Sequence, residues 1–309
     1  LHPAISIIVF STFSGVGFGI GFWLGILGNG NQSLAVVITG LLALVWASVG
    51  LISSVFHLRR PARAIRAFSQ WRSSWLSREG ILAILTLGCI FLYIVLRLFN
   101  IHGPGVLVLA WIISLLSLVT VYSTAMIYTQ LKAVPAWNTV LTPLVFIGFS
   151  LLGGGIFYFS FLPEFLSRSF EFIILILLVG GWVIWILWSL RRDRIGMGAS
   201  SVETATQLGK LGTVKPFEPP HMGPNYLTRE MGYRLPKSKS TQLRGLAVAL
   251  GLIIPILLYC IVFVYQDSGF ANVSRILLFC FVFSGIFISR WLFFAESRHT
   301  TMLYYRNEH

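Results

Sequence analysis

From Ala4 to Gly28 the sequence carries no Lys, Arg, Asp or Glu, and seven later runs are almost as poor in charge. About 20 apolar residues let an α-helix cross a hydrocarbon layer about 30 Å thick. Inside such a layer the backbone must satisfy its own polar groups, so only helices and closed barrels span it. These runs are continuously apolar, without alternation, which selects helices. The spans read near 4–28, 33–57, 79–98, 105–130, 138–160, 169–190, 243–265 and 272–295. The expected fold is an all-α integral membrane protein of eight transmembrane helices, set out as two four-helix bundles. A chain that is 56% hydrophobic and 11% charged has too little charge to cover a water-facing surface.

The net charge of +13 would suggest a nucleic-acid partner in a soluble protein. Its distribution gives another reason for it, and no nucleic-acid partner is expected. Six Lys or Arg lie in the 58–78 connection, one between spans four and five, ten between spans six and seven when Arg244 at the very start of span seven is included, and three at the C-terminal end. The opposite side has Arg97, Arg168 and Arg275. Basic residues stay on the cytoplasmic side, so both termini are expected there. The first charged residue is Arg59, so the first run reads as a retained helix and not as a cleaved signal. Cys89, Cys260 and Cys280 all fall inside spans and form no CxxC pair, so neither an iron–sulfur cluster nor a disulfide framework is expected.

Three segments follow: 1–190 with spans one to six and the basic 58–78 connection, 191–242, and 243–309 with the last two spans and a tail. The middle segment is basic, rich in Gly and Pro, and too short for a core of its own. It is read either as a disordered loop or as a strap that orders on a partner, its aromatic, proline-bearing centre from Phe217 to Tyr233 favouring the strap. Its excess of Lys and Arg also suits anionic lipid. In the first span, Gly15/Gly19, Gly17/Gly21 and Gly21/Gly25 form small-xxx-small pairs that let another helix approach closely; Gly153, Gly154 and Gly155 read the same way.

No ionisable residue occupies the centre of a span, which speaks against a proton pump or an ion-coupled transporter. Haem is not expected either, since bis-histidine ligation needs two buried histidines and only His57 stands at a span end with polar company. His57 closes span two and Glu79 opens span three, so the connection brings both to one membrane face. An imidazole there can exchange protons near neutral pH, and a partly desolvated carboxylate can relay them. Quinone reduction takes two electrons and two protons at a ring that reaches the membrane edge from the lipid. The plainer alternative makes His57 a helix-end residue and Glu79 a first-turn acid behind Ser77 as N-cap. Trp71, Trp75 and Trp137 read as an interfacial belt.

The stretch "HLRRPARAIRAFSQWRSSWLSREG", His57 to Gly80, resembles the span two–three connection of the DMSO reductase membrane-anchor family, within the wider group of NrfD-like quinone-reactive anchors. "YSTAMIYTQLKAVPAWNT", Tyr122 to Thr139, and the eight spans with a long sixth connection are similar to it too. The resemblance covers essentially the whole chain. It implies a cofactor-free anchor in the bacterial inner membrane, with a molybdopterin catalytic subunit and an iron–sulfur subunit docked on the cytoplasmic face. It implies a quinone site at that face, ubiquinone or menaquinone, with His57 and Glu79 as its acid–base pair. By position it adds Arg60, Arg63 and Tyr128 to the quinone-binding residues.

The opening "HPAISIIVFSTFSGVGFG" and "FEPPHMGPNYLTREMGYR" look most similar to anchors of sulfite-oxidising molybdoenzymes. The implied role is sulfite:quinone oxidoreduction, with a DMSO reductase anchor oxidising menaquinol as its alternative. Readings from other classes are a small-molecule transporter and an anchor without quinone contact.

Overall fold

The computed structural model describes residues 1–28, 33–56, 66, 68–198, 200–215, 217–218, 225–233, 235–265 and 268–305. Among these, eight helices are long and apolar enough to cross a membrane. They are α1 (Ile5–Leu27), α2 (Ser33–Val55), α3 (Trp75–Leu98), α4 (Pro104–Thr129), α5 (Leu141–Phe161), α6 (Arg168–Ile195), α7 (Lys237–Val264) and α8 (Gly269–Ala295). Each corresponds to one apolar run of the sequence. The helices overrun those runs where polar residues continue a helical pattern beyond the hydrocarbon. α3 begins at Trp75 with Ser74 in the N-cap position, so Ser77 lies inside the first turn and is not the cap. α6 runs on through Arg191, Arg192, Asp193 and Arg194 until Gly196, whose positive φ of 55° suits a residue without a Cβ.

α1 and α5 are the most enclosed helices, and the contact between them is the most extensive in the molecule. α1 also packs on α2 and α4, and α3 lies between α2 and α4. α5 packs on α6 and α8, and α7 on α8. The helices share one continuous hydrophobic core.

The small residues explain why α1 can sit so deep. A Cβ on Gly19 would stand 1.9 Å from the Ser150 carbonyl oxygen, and one on Gly154 would stand 2.2 Å from the Gly19 carbonyl carbon. The two helices therefore touch backbone to backbone. Hydroxyls add interhelical bonds that lipid cannot compete for: Ser150 donates to the Gly15 carbonyl at 2.6 Å, and Ser114 donates to that of Phe22 at 2.8 Å. Gly19→Ala is expected to destabilise the fold by about 1–3 kcal/mol through overpacking. Gly88→Ala, where an added Cβ meets nothing within 4 Å, should cost nothing. Denaturation of the two variants side by side in detergent checks this, and equal stabilities would refute the tight crossing.

Two helices contain a turn of π-helix, Phe10–Ser14 in α1 and Ala249–Ile253 in α7. The second precedes Pro255, whose missing N–H disturbs the regular ladder. The described part of the sixth connection holds the short helices Val202–Thr206 and Tyr226–Met231. It reaches the start of the chain, where the His2 amide donates to the Glu230 carbonyl at 2.7 Å and the His2 ring meets Tyr233 edge-on.

Candidate functional site

Glu79 lies in the opening turns of α3, only 4% exposed, among helices that offer it few polar neighbours. The Thr124 hydroxyl of α4 donates to its Oε1 at 2.6 Å. Further along the α3–α4 seam, the Thr86 and Thr120 hydroxyls share a bond of 3.0 Å. A carboxyl group buried in a membrane helix is costly to keep, and a short bond to a neighbouring helix fixes its position. The arrangement can hold or release a proton at a defined atom.

Tyr128, one helical turn beyond Thr124, is also buried and close enough to both Glu79 and Arg290 to feel their charges. Its ring is caged by Trp137, Phe146, Phe293 and Phe294, with centroids 5.3–5.6 Å away. Trp137 is therefore not a belt residue. It is 5% exposed, stacks on Phe293, and donates its indole N–H to the Phe293 carbonyl at 3.0 Å. The turns between α4 and α5 press the indole inward against α8. Trp71, by contrast, is 53% exposed.

Arg290 enters the site unannounced, because in the sequence it counts only as one more basic residue near the C-terminal end. It lies within α8, 3% exposed, with its guanidinium 3.6 Å from the centre of the Phe146 ring. Among the described residues, neither its Nε nor its Nη1 has a hydrogen-bond partner. It lines a small cavity with Ser11, Ser14, Val121, Thr124 and Phe146. Ser11 and Ser14 reach that cavity from the π-helical turn of α1, whose wider winding re-aims side chains that a regular helix would place elsewhere. The only foretaste of this in the sequence is the hydroxyl cluster Ser11-Thr12-Phe13-Ser14 inside an otherwise apolar run.

At the same end of the bundle, Glu296 follows α8 and accepts bonds from Arg192 of α6 and from Ser240 and Arg244 of α7. Arg244 Nε stands 2.7 Å from the Glu296 carboxylate, and Asp193 completes the network with 2.5 Å and 3.0 Å bonds to Arg244. Two arginines that read as topology signals thus tie three helices together.

Of the residues expected at the quinone site, Glu79 and Tyr128 come together in one buried region. His57, Arg60 and Arg63 lie outside the described residues.

The match with known proteins extends over nearly the whole chain. A sulfite dehydrogenase subunit of Allochromatium vinosum is 30% identical over 99% of this chain and 99% of its own length. The family described as the DMSO reductase anchor subunit matches residues 1–295. A chain of eight membrane-spanning helices that fits this family from its first residue to the end of its last span belongs to it: it is a multi-pass membrane anchor subunit of the DMSO reductase type.

Proposed function

We propose that this anchor is the quinone-reactive subunit of a molybdopterin/iron–sulfur complex that oxidises sulfite and passes the electrons to the quinone pool. The observation that carries this reading is the Glu79 carboxyl, buried at a helix start directly after the connection that bears His57, and held by Thr124. Identity with a relative named as a sulfite dehydrogenase subunit supports sulfite as the partner's substrate. The cavity beside Arg290, about 10 Å³, is far too small for a quinone ring. The ring is therefore accommodated outside that cavity. Quinone, when bound, supplies the two-electron acceptor. This chain binds and orients it, His57 at one carbonyl oxygen and Glu79 as the proton-holding group beside it, with Arg60, Arg63 and Tyr128 at its margins.

Counted along the alternating spans, the basic segments, Glu79, Tyr128 and the Glu296 network all fall on the same side. On the positive-inside argument that side is cytoplasmic. Both termini, the 191–242 docking strap and the iron–sulfur partner belong there, in a bacterial inner membrane. Protons are exchanged on that side only.

Replacing His57 by Ala in the assembled complex is expected to lower sulfite-driven quinone reduction about tenfold or more, in line with loss of a general acid–base group. Dye-linked sulfite oxidation by the partner subunits should persist. Unchanged quinone turnover would remove His57 from the mechanism, and a complex that reduces DMSO from quinol but does not oxidise sulfite would replace the substrate.

A further inference from the structure

Arg290 presents a physical problem that the proposed quinone site does not explain. A guanidinium has five N–H donors and stays charged. Here it is enclosed by α1, α4, α5 and α8, with two donor nitrogens unpartnered among the described residues. Stacking over Phe146 stabilises its charge from one side but satisfies no N–H. The residue lines the cavity of about 10 Å³ whose other polar walls are hydroxyls. A space of that size holds about one water, provided it offers two to four hydrogen-bond partners. It does. Ser14 Oγ donates to the Phe10 carbonyl at 2.6 Å and Ser11 Oγ to that of Ile8 at 3.2 Å, so both oxygens keep lone pairs for an incoming donor. Thr124, the fourth polar wall, spends its proton on Glu79 at 2.6 Å.

On the reading that Glu79 is the proton-holding carboxyl, we infer that this cavity binds a single structural water, which accepts from Arg290 and donates its two protons to Thr124 Oγ1 and Ser14 Oγ, and through which Arg290 serves as the counter-charge that positions Glu79. The chain of contacts runs from guanidinium to water to Thr124 hydroxyl to carboxylate. Arg290 is then a positioning residue that never touches quinone. The charged or titratable groups facing this region from the described elements are Glu79 of α3, Tyr128 of α4 and Arg290 of α8, while α1 contributes hydroxyls and α5 contributes Phe146. The π-helical turn of α1 now has a purpose, since it places both serines on the cavity.

The test is infrared difference spectroscopy on the assembled complex, titrating the Glu79 carboxyl band, identified as the band that Glu79→Gln removes. Arg290→Gln is expected to leave a larger protonated fraction at a given pH, displacing the titration upward by about half a pH unit, since the cation at the far end of the water–Thr124 path is lost. Arg290→Lys, which keeps the charge, should restore most of the displacement. Ser14→Val fills the cavity without altering charge and should move the band in the same direction by a smaller amount. It decides the matter alone if Arg290→Gln fails to assemble. A band unmoved by Ser14→Val and by any assembled Arg290→Gln complex overturns the inference. The infrared result needs no quinone turnover. If Glu79→Gln reduced quinone at the normal rate, the proposed function would fall while the coupling between Arg290 and Glu79 would still be judged by its own band.

Discussion

Glu79→Gln is expected to lower quinone-linked turnover about 100-fold, within the range that a positioned acid–base group supplies, while the complex assembles normally. The amide has the shape of the carboxyl and its oxygen can still accept from Thr124 Oγ1, the bond that spans 2.6 Å in the native protein. What it cannot do is give up and regain a proton. A loss that spares the dye-linked activity of the soluble partners therefore isolates proton exchange from packing. Glu79→Asp, which keeps the acid but withdraws it by a methylene, should fall between the two. Turnover of Glu79→Gln within about twofold of wild type would mean that the buried carboxyl holds the helices together and nothing more.

The second large effect concerns stability. Glu296→Ala is expected to destabilise the protein by about 3 kcal/mol, the lower part of the range for breaking a buried ion pair. Arg192 and Glu296 are each 5% exposed, so the substitution leaves a cation buried without its main counter-charge. Asp193, 3.0 Å from Arg192 and 47% exposed, offsets only part of that loss. Arg244 retains Asp193 and, at 27% exposed, can turn to water. The check is unfolding of purified protein in detergent together with recovery of assembled complex from membranes. Replacing Arg192 by Met in the Glu296→Ala background should restore much of the stability, because no charge is then left unpaired. A single substitution costing less than about 1 kcal/mol, the usual worth of an exposed pair, would show that the network is surface decoration.

The spans are legible in the sequence because hydrocarbon imposes a length and a composition that no other environment demands, and Glu79 stands out as an acid just inside such a run. The glycines of α1 are legible too, since Gly19 and Gly154 have few uses in a spanning helix besides close approach. Arg290 is hidden for a definite reason. A basic residue within a few positions of a helix end looks the same whether it reaches outward to lipid headgroups or inward to a cavity, and only the rotation of α8 about its axis decides. Trp137 misleads on similar grounds, its place in a short connection suggesting an interface while the turns around it carry the ring into the core. Ser74 and Ser77 compete for the cap with little local difference between them. The Glu296 network joins residues of three helices far apart in the chain, so its pairing exists only after the helices have packed.

The direct meeting of the Gly19 and Gly154 peptide planes has a mechanical consequence. Most of a membrane protein yields when the bilayer thins or swells, because lipid-facing side chains swing between rotamers. A wall made of main chain has nothing to swing. The serines that face Arg290 hang from one side of that stiff joint and Phe146 from the other. Strain arriving from the lipid thus meets its stiffest resistance where α1 and α5, the two most enclosed spans, cross.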